Sequence, residues 1–339
     1  MKTQPIDTKT SAAEPQTITT TDADWTVQDV PLQEGRTIVI TGTGGIGFEN
    51  ALELARAGGD VIIAGRNSKK GAEAVARILS ETSLASVRFE QLDLASLKSI
   101  KAFAERLKQS RDSIDVLINN AGVMTPPDRR QTADGFELQF GTNYLGHFAL
   151  TMELLPLLHS GKNPRVVTLS SIAARDGTMD FDDLQSEREH SYKPMKAYSQ
   201  SKLACLMFAL ELQRRSDEAN WDITSIGAHP GISRTDLLHN GPGRRSFAGI
   251  ARSLLWFMFQ PASQGALPSL FAATSPEAIG GGYYGPGKFL ETRGAPTEAM
   301  IPKQALDQQA ASRLWDVSCQ LTGLSVPVVS KNPRNNLSR

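Results

Sequence analysis

The sequence lacks an excess of charge of either sign, with 36 basic and 36 acidic side chains among 339 residues. A nucleic-acid-binding protein would carry a surplus of Lys and Arg on one face, so the balance excludes that class. No apolar run approaches the roughly 18 residues that indicate a transmembrane segment. The first residues contain no apolar segment of the kind found in signal peptides. Aromatic residues make up only 6%, and the composition is that of an ordinary globular protein.

Cysteine and histidine are also scarce. The two cysteines, Cys205 and Cys319, form neither a disulfide framework nor a metal-ligand spacing, which favours a reducing, cytoplasmic compartment. The five histidines show no paired spacing such as H-x-x-x-H. A metal enzyme is therefore not indicated.

Residues 1–24 and 326–339 are polar and lack hydrophobic periodicity, which predicts a disordered N-terminal tail and a flexible C-terminal tail. Between them, in residues 25–325, short β-branched runs alternate with segments of helical periodicity. The alternation predicts a single domain on a doubly wound parallel sheet of about seven strands, with helices on both faces. Six strands are recognisable, at 36–41, 61–64, 87–92, 116–118, 166–169 and 223–226. Helices are predicted at 46–57, from Ser68 to about residue 79, and after Ser96, with both serines as N-caps.

A glycine-rich loop, TGTGGIG at residues 41–47, follows the first predicted strand. It contains the pattern G-x-G-x-x-G. Between a strand and a helix, such a loop turns sharply, leaves room for a pyrophosphate and directs helix N-terminal amides at the anion. The loop therefore predicts a dinucleotide site, and the alternative is a glycine-rich turn without a ligand. The predicted binding residues are Gly42, Gly44, Gly45, Ile46 and Gly47.

The end of the second strand is where this class of fold recognises the ribose of the nucleotide. Here the end has no carboxylate, and Arg66 follows at once in AGRN, residues 64–67. A carboxylate would bind the ribose hydroxyls of NAD and repel a phosphate, whereas a guanidinium donates charge-assisted hydrogen bonds to the 2′-phosphate. Arg66 thus favours NADP(H) over NAD(H), unless it is a solvated surface arginine.

Further motifs follow the glycine loop in order along the chain. They are Asp93-Leu94 after the third strand, Asn119-Asn120-Ala121-Gly122 after the fourth, Asn143 within GTNYLGHF, Ser170-Ser171 after the fifth, Tyr198-x-x-x-Lys202, and Pro230-Gly231 with Thr235 after the sixth. This ordered set resembles the short-chain dehydrogenase/reductase family over about residues 25–325. Within the family, the sequence is similar to the branch of retinol-dehydrogenase-like and protochlorophyllide-reductase-like enzymes.

The spacing of Tyr198 and Lys202 suits acid–base chemistry. Four residues apart on a helix, the two side chains share one face. A phenol, with an ordinary pKa of about 10, is a poor base at neutral pH, and a nearby ammonium favours its phenolate form. Tyr198 can then exchange a proton with a substrate oxygen while a hydride moves to or from the nicotinamide. The alternative is a surface pair on an amphipathic helix.

The hydroxyl of a serine at a strand's carboxyl end can hold the substrate oxygen, and the family pattern implies Ser171 rather than Ser170. The resemblance also implies that Lys202 binds the nicotinamide ribose and that Asn143 completes a water-linked proton path. The alternative for Asn143 is a core amide that bends its helix.

The resemblance extends to the rest of the cofactor site. It implies that Asn120 lies beside the cofactor, as do Tyr198 and Lys202, whereas Asn119 braces neighbouring strands. Asp93 and Leu94 would flank the adenine, and Ile232 and Thr235 the carboxamide. The tyrosine helix would pair copies of the chain in a homo-oligomer.

The glycine loop departs from the family pattern. The family's usual loop is T-G-x-x-x-G-x-G, whereas only two residues separate Gly42 and Gly45 here, which leaves open which glycine fills which role.

A substrate lid is predicted near residues 232–262, and its segment 248–260 (AGIARSLLWFMFQ) is unusually apolar. The segment is a lid for a lipophilic carbonyl or alcohol, a helix docked on the core, or a shallow membrane contact, which the lack of a strongly basic face disfavours.

Together these features predict an NADP(H)-dependent oxidoreductase that interconverts a carbonyl and an alcohol on a lipophilic small molecule. Its predicted catalytic residues are Tyr198, Lys202, Ser171 and Asn143. One alternative is an NADPH-dependent double-bond reductase, as among protochlorophyllide-reductase-like members. Another is a non-catalytic nucleotide-binding regulatory protein, which would have no need of all four catalytic residues.

Overall fold

The computed structural model describes residues 24–188, 192–233 and 260–325. The strands are β1 (Thr37–Thr41), β2 (Asp60–Gly65), β3 (Ser86–Gln91), β4 (Val116–Asn119), β5 (Arg165–Leu169), β6 (Thr224–Ala228), β7 (Tyr283–Lys288) and β8 (Arg293–Glu298). They form one sheet with the order β3-β2-β1-β4-β5-β6-β7-β8. Neighbouring strands are parallel except β7 and β8, which are antiparallel. The order reverses between β1 and β4, where a sheet of this class binds its ligand.

Helices cover both faces of the sheet. They are α1 (Ile46–Arg56), α2 (Ser68–Glu81), α3 (Leu97–Ser110), α4 (Gly146–His159), α5 (Pro194–Ala219), α6 (Ala262–Thr274) and α7 (Gln308–Thr322). A π-helical turn, Phe140–Leu145, leads into α4, and a 3₁₀ turn, Ile172–Asp176, follows β5. The predicted doubly wound α/β fold is confirmed.

The six recognisable strands all form within two residues of their predicted bounds. The sheet has one strand more than the seven expected, because β7 and β8 form an antiparallel pair at one edge. Both strands contain Gly and Pro, in YYGPGK and RGAPTE, and these residues do not give the apolar alternation of a strand. Proline is tolerated at this edge, where the pairing register also shifts between Pro286 and Lys288.

The N-cap predicted for α2 is wrong. Ser68 is the first helical residue, and Asn67 caps the helix by accepting a hydrogen bond on Oδ1 from the Lys70 amide at 3.0 Å. An asparagine is at least as good an N-cap as a serine, and Asn67 has the extended backbone that this position needs. The cap predicted for α3 is confirmed, since Ser96 Oγ accepts from the Ser99 amide at 3.3 Å.

The central strands β1, β2 and β4 bury both of their faces. Val39, Ile62 and Leu117 pack on the side that carries α3, α4, α5 and α7. Their neighbours Ile38 and Val61 pack on the side that carries α1, α2 and α6. Burial on both faces explains why the central strands appear in the sequence as continuous apolar runs.

The C-terminal helix α7 packs on α4 and α5 through aromatic rings. Trp315 stacks on Phe208 of α5 with ring centroids 5.9 Å apart, and meets Phe148 of α4 edge-on at 5.1 Å. Phe148 and Phe208 contact each other at 5.7 Å. All three rings are buried, so α7 covers an apolar surface that the α4–α5 pair would otherwise expose.

Within the described ranges, no helix has the combination of length and apolar character that crossing a bilayer requires. The predicted tails, 1–24 and 326–339, lie outside the described residues apart from Asp24. Residues 234–259, which make up most of the predicted lid, also lie outside them.

Candidate active site

A cleft of about 1020 Å³ opens beside the switch point between β1 and β4. It is lined by residues that follow the carboxyl ends of the strands and by the first turns of the helices after them. The sequence-predicted residues that line it are Gly42, Gly44, Gly45, Ile46, Arg66, Asn120, Tyr198 and Lys202. These residues therefore lie together at one site.

Three glycines of the glycine loop, Gly42, Gly45 and Gly47, have backbone positions that suit glycine. Gly42 has φ of 103° and Gly45 has φ of 53°, and both values suit glycine rather than residues with side chains. Gly45 is the N-cap of α1 and provides no side-chain cap, so the first amides of α1 keep their hydrogen bonds for a ligand. Gly47 instead allows close packing, since a Cβ there would lie 2.6 Å from both the Gly42 carbonyl oxygen and Asn120 Nδ2.

Asn120 holds the glycine loop against the end of β4. Its Nδ2 donates to the Thr41 carbonyl oxygen at 2.7 Å, and its backbone amide donates to Thr41 Oγ1 at 2.9 Å. It lies at the cleft, where the resemblance places it. Asn119 is buried and donates from Nδ2 to Thr151 Oγ1 of α4 at 3.1 Å, so its side chain ties β4 to α4, while the residue itself pairs with Thr168 of β5.

A smaller pocket of about 250 Å³ adjoins the cleft at the ends of β2 and β3. Asp93 and Leu94 line it, together with Leu92 and Thr142. Asp93 Oδ1 accepts from the Ala95 amide at 3.0 Å, which fixes the turn after β3. The two residues expected beside the adenine thus line one pocket.

Arg66 and Lys70 line both the cleft and the smaller pocket. Both are exposed, and within the described residues neither side chain has an ion-pair partner. Thr43 also lines both the cleft and the smaller pocket, and its methyl group packs against Gly65, since a Cβ on Gly65 would lie 2.8 Å from Thr43 Cγ2. Sequence reasoning missed Lys70 and Thr43. The spacing of four residues between Arg66 and Lys70 was the available signal.

Helix α5 presents Tyr198 and Lys202 to the cleft, with 8% and 6% of their surfaces exposed. Pro194 opens the helix at a position that suits proline. Lys202 Nζ donates to the Leu169 carbonyl oxygen at 3.0 Å, and an ammonium has two further protons to donate. Among the described residues, no carboxylate pairs with Lys202 and no group bonds the Tyr198 hydroxyl.

The two serines after β5 differ in their surroundings. Ser170 lines the cleft, and its Oγ donates to the Lys202 carbonyl oxygen at 2.7 Å. Ser171 is half-buried and is not among the described residues that line the cleft, and it caps the 3₁₀ turn by accepting on Oγ from the Ala173 amide at 3.2 Å. The Ser171 hydroxyl can still donate its own proton.

Asn143 lies in the π-helical turn and has its amide fully engaged. Its Oδ1 accepts from the Val123 amide at 2.7 Å, and its Nδ2 donates to the Val123 carbonyl oxygen at 3.0 Å and to Ser201 Oγ at 2.9 Å. The side chain therefore fixes the segment after β4 against α5. The water-linked proton path through Asn143 stays a prediction.

His147 connects this turn to the glycine loop. Its Nδ1 lies 2.8 Å from the Asn143 carbonyl oxygen, so Nδ1 carries the proton and donates. Its Nε2 then accepts from Thr41 Oγ1 at 2.9 Å. Burial lowers the pKa of His147 to about 4, despite the hydrogen bond to Asn143. The imidazole is thus neutral at physiological pH.

This burial predicts an acid-sensitive stability. Unfolding returns the pKa of His147 from about 4 to its ordinary 6.5. Between these two pH values the imidazole is protonated in the unfolded chain and neutral in the folded chain. The free energy of unfolding should fall by about 3 kcal/mol as the pH decreases through this window. Urea unfolding at a series of pH values measures the slope, which His147→Asn should flatten and the control His159→Asn should not. An equal slope in wild type and His147→Asn would contradict the assignment.

The carboxamide side of the site is described only in part. Ile232 is 39% exposed, and its amide donates to the Thr292 carbonyl oxygen at 2.9 Å. It does not line the described cleft, whereas Pro230 does. Thr235 lies outside the described residues. Sequence reasoning also missed Met124, Pro126 and Leu138, which give one part of the cleft an apolar lining.

Comparisons with known proteins identify the family of the chain. The sequence profile of the family described as "short chain dehydrogenase" matches residues 36–183. Retinol dehydrogenase 13 of Homo sapiens is 40% identical over 302 residues, which cover 88% of this chain and 88% of that protein. Polyprenol dehydrogenase of Mus musculus is 41% identical over 300 residues, covering 87% and 86%. The crystal structure of an uncharacterized protein from Mycobacterium Paratuberculosis is 38% identical, with a TM-score of 0.74, and the match covers 90% of this chain and 100% of that one.

The family profile matches residues 36–183, whereas the match to retinol dehydrogenase 13 covers 88% of this chain, so the similarity extends well beyond the nucleotide-binding half. The chain belongs to the short-chain dehydrogenase/reductase family, in its retinol-dehydrogenase-like branch, and is an NAD(P)-dependent oxidoreductase of the alcohol–carbonyl type.

Proposed function

We propose that this protein is an NADP(H)-dependent oxidoreductase that interconverts a carbonyl and an alcohol on a lipophilic small molecule. The observation that carries the proposal is the position of Tyr198 and Lys202, buried side by side in the cleft that the glycine loop also lines. The apolar lining by Met124, Pro126 and Leu138 supports a lipophilic substrate. So do the names of the relatives, which are dehydrogenases of retinol and of polyprenol.

The residues present fit a dinucleotide with a 2′-phosphate. The amides at the start of α1 have no capping side chain and suit the pyrophosphate. Arg66 and Lys70 are cations without an acidic partner among the described residues, and both face the cleft and the pocket that Asp93 lines. Thr43 of the shortened loop also lines both, so the loop still contributes a side chain with a hydroxyl to the lining.

The chemistry divides between the cofactor and the chain. When bound, the nicotinamide supplies or accepts the hydride. In the reducing direction, Tyr198 donates its hydroxyl proton to the substrate oxygen, and in the oxidising direction it takes that proton back. Lys202 stabilises the phenolate between these events, since its ammonium is buried and keeps free donors. Ser171 donates to the same substrate oxygen and stabilises its developing charge.

A substrate panel tests the proposal directly. The purified protein is mixed with NADPH and with retinal, a polyprenal, short aldehydes and ketones, and an α,β-unsaturated carbonyl, and NADPH oxidation is followed. The matching alcohols with NADP⁺ test the reverse direction. We expect turnover on the long apolar carbonyls, with the alcohol as product. A saturated carbonyl as product would replace the proposal by double-bond reduction, and NADPH binding without turnover on any member would favour a regulatory role.

Arg66→Ala should remove most of the preference for NADPH. A charge-assisted hydrogen bond contributes about 1.5–3 kcal/mol, so the Kd for NADPH should rise roughly 10–100-fold while that for NADH changes little. Fluorescence titration of both cofactors measures the ratio. Lys69→Ala is the matched control, because Lys69 is exposed on the same turn but does not line the cleft. An unchanged NADPH preference in Arg66→Ala would refute the role of this arginine.

A further inference from the structure

Three ionisable side chains from separate segments meet next to the ends of β5 and β6. Arg175 belongs to the 3₁₀ turn that follows Ser171, His229 follows β6, and Glu291 lies in the turn between β7 and β8. Glu291 Oε2 lies 2.5 Å from Arg175 Nη2 and 2.9 Å from His229 Nε2. One carboxylate oxygen therefore joins the segment after β5 to the segment after β6.

The hydrogen bonds fix the proton on His229. The Gly231 amide donates to Nδ1 at 3.2 Å, so Nδ1 is the acceptor and Nε2 carries the proton that goes to Glu291. The other carboxylate oxygen, Oε1, accepts from the Met300 amide at 3.0 Å. Both oxygens of Glu291 are thus occupied by donors.

The charge states agree with this pattern. Burial lowers the pKa of His229, more than the neighbouring carboxylate raises it, so the imidazole is neutral. Burial alone would raise the pKa of Glu291, but hydrogen bonds from His229 and the Met300 amide, with the charge of Arg175, together hold it below its usual value. The network therefore contains one anion, Glu291, which bonds directly to one cation, Arg175, and to one neutral imidazole, His229.

The backbone of β7 and of the turn after it accommodates the contact between His229 and Glu291. A Cβ on Gly285 of β7 would collide with the imidazole of His229, so glycine is needed there. Phe289, Leu290 and Glu291 all have left-handed backbones, with φ of 52°, 56° and 63°. Such conformations cost about 1–3 kcal/mol each in residues other than glycine and persist where the surroundings enforce them. The turn thus holds Glu291 in a single position.

The network adjoins the catalytic segment without entering the cleft. The carboxyl ends of β5 and β6 are paired, with Leu169 opposite Ala228, so Ser171 and Pro230 emerge from adjacent strand ends. Pro230 lines the cleft, whereas Arg175, His229 and Glu291 are not among the described residues that line it. Tyr283 bridges the two segments, with its ring 5.2 Å from that of His229 and its hydroxyl donating to the Ser171 carbonyl oxygen at 3.5 Å.

We propose that Glu291 is a positioning residue that holds Arg175 and His229 on one carboxylate, and thereby sets the distance between the Ser171 segment and the Pro230 turn. The substrate oxygen is then presented to the Ser171 and Tyr198 hydroxyls together. This role rests on the proposed carbonyl–alcohol chemistry and adds to it a residue that contacts neither substrate nor cofactor.

Glu291→Gln tests the role with little change in shape. An amide cannot replace this carboxylate, because both carboxylate oxygens accept hydrogen bonds and the amide NH₂ can only donate. In either orientation of the amide, its NH₂ faces another donor, which is either the Met300 amide or the His229 and Arg175 side chains. Misalignment of this kind costs roughly 10–100-fold in kcat. We expect that loss in carbonyl reduction, with the Kd for NADPH unchanged. Glu298→Gln, on an exposed carboxylate of β8, is the matched control and should behave as wild type.

Three further measurements separate positioning from simple destabilisation. Gly285→Ala displaces the His229 ring without removing a charge and should lower kcat similarly, and the double variant Glu291→Gln/His229→Gln should lose no more activity than Glu291→Gln alone. Imidazole ¹⁵N spectra of the wild type should show His229 protonated on Nε2. The opposite tautomer would overturn the network, and Glu291→Gln with a lowered melting temperature but wild-type kcat would overturn the positioning role alone. A wild type inactive on every carbonyl and alcohol would overturn the proposed function and this role with it.

Discussion

Tyr198→Phe should lower kcat for carbonyl reduction by roughly 10³-fold and leave the Kd for NADPH nearly unchanged. The substitution removes one hydroxyl and keeps the ring that fills this part of the cleft, so the glycine loop and Lys202 keep their positions. Among the described residues, the Tyr198 hydroxyl has no protein partner, so its removal leaves no buried group unsatisfied. The loss should therefore appear in turnover and not in stability. Steady-state kinetics, NADPH fluorescence titration and thermal unfolding of one preparation measure the three quantities together.

Tyr284→Phe is the matched control for this variant. Tyr284 is equally buried, but it lies on β7, and its hydroxyl accepts a hydrogen bond from the Ile279 amide at 3.0 Å. Its loss should lower the free energy of unfolding by about 1 kcal/mol and leave kcat unchanged. A Tyr198→Phe enzyme that kept more than about a tenth of wild-type turnover would rule out Tyr198 as the main proton donor, given the usual size of acid–base catalysis.

Gly47→Ala should weaken NADPH binding by roughly 100-fold, because a methyl group forces the glycine loop away from the start of α1. Its Cβ would lie 2.6 Å from the Gly42 carbonyl oxygen and from Asn120 Nδ2, and neither group can move freely, since Asn120 also bonds Thr41. A displaced loop loses at least one amide-to-phosphate hydrogen bond, of about 1.5–3 kcal/mol. Crowding should also reduce the free energy of unfolding by about 1–3 kcal/mol.

Lower stability alone must be separated from loss of the phosphate site. Ile223→Val removes one methyl group just before the amino end of β6, at the opposite end of the sheet from the cleft, and should cost about 1 kcal/mol. Its affinity for NADPH should match the wild type. If Gly47→Ala bound NADPH as tightly as Ile223→Val, the close packing of Gly47 would have no role in cofactor binding.

The central part of the fold could be predicted because its signals are local. Strands β1, β2, β4 and β5 are short apolar runs, and a parallel sheet buried on both faces requires such runs. Strands β7 and β8 carry Gly and Pro and are held by pairing with neighbours, so their own residues indicate turns. Tertiary contacts overrode local preference at that edge.

In the candidate site, too, some residues could be predicted from local spacing and others only from tertiary contacts. Tyr198 and Lys202 share a helix face, so their spacing alone places them together. Thr43 packs against Gly65 only because the glycine loop folds onto the end of β2, a contact that no spacing reveals. His229 and Glu291 are 62 residues apart and meet only through the order of the strands. Local sequence patterns thus predict contacts between residues of one helix or strand, and contacts between distant segments depend on the order of the strands in the folded sheet.

The C-terminal helix has a consequence for quaternary structure. The family resemblance implies that copies pair through the tyrosine helix, but Trp315 of α7 already stacks on Phe208 of α5 and packs against Phe148 of α4. A second chain could reach these rings only by displacing α7, and a chain ending before Asp307 would leave them uncovered. Apolar surface of this kind attracts another subunit or aggregates. In this protein, α7 therefore covers these rings from within one chain.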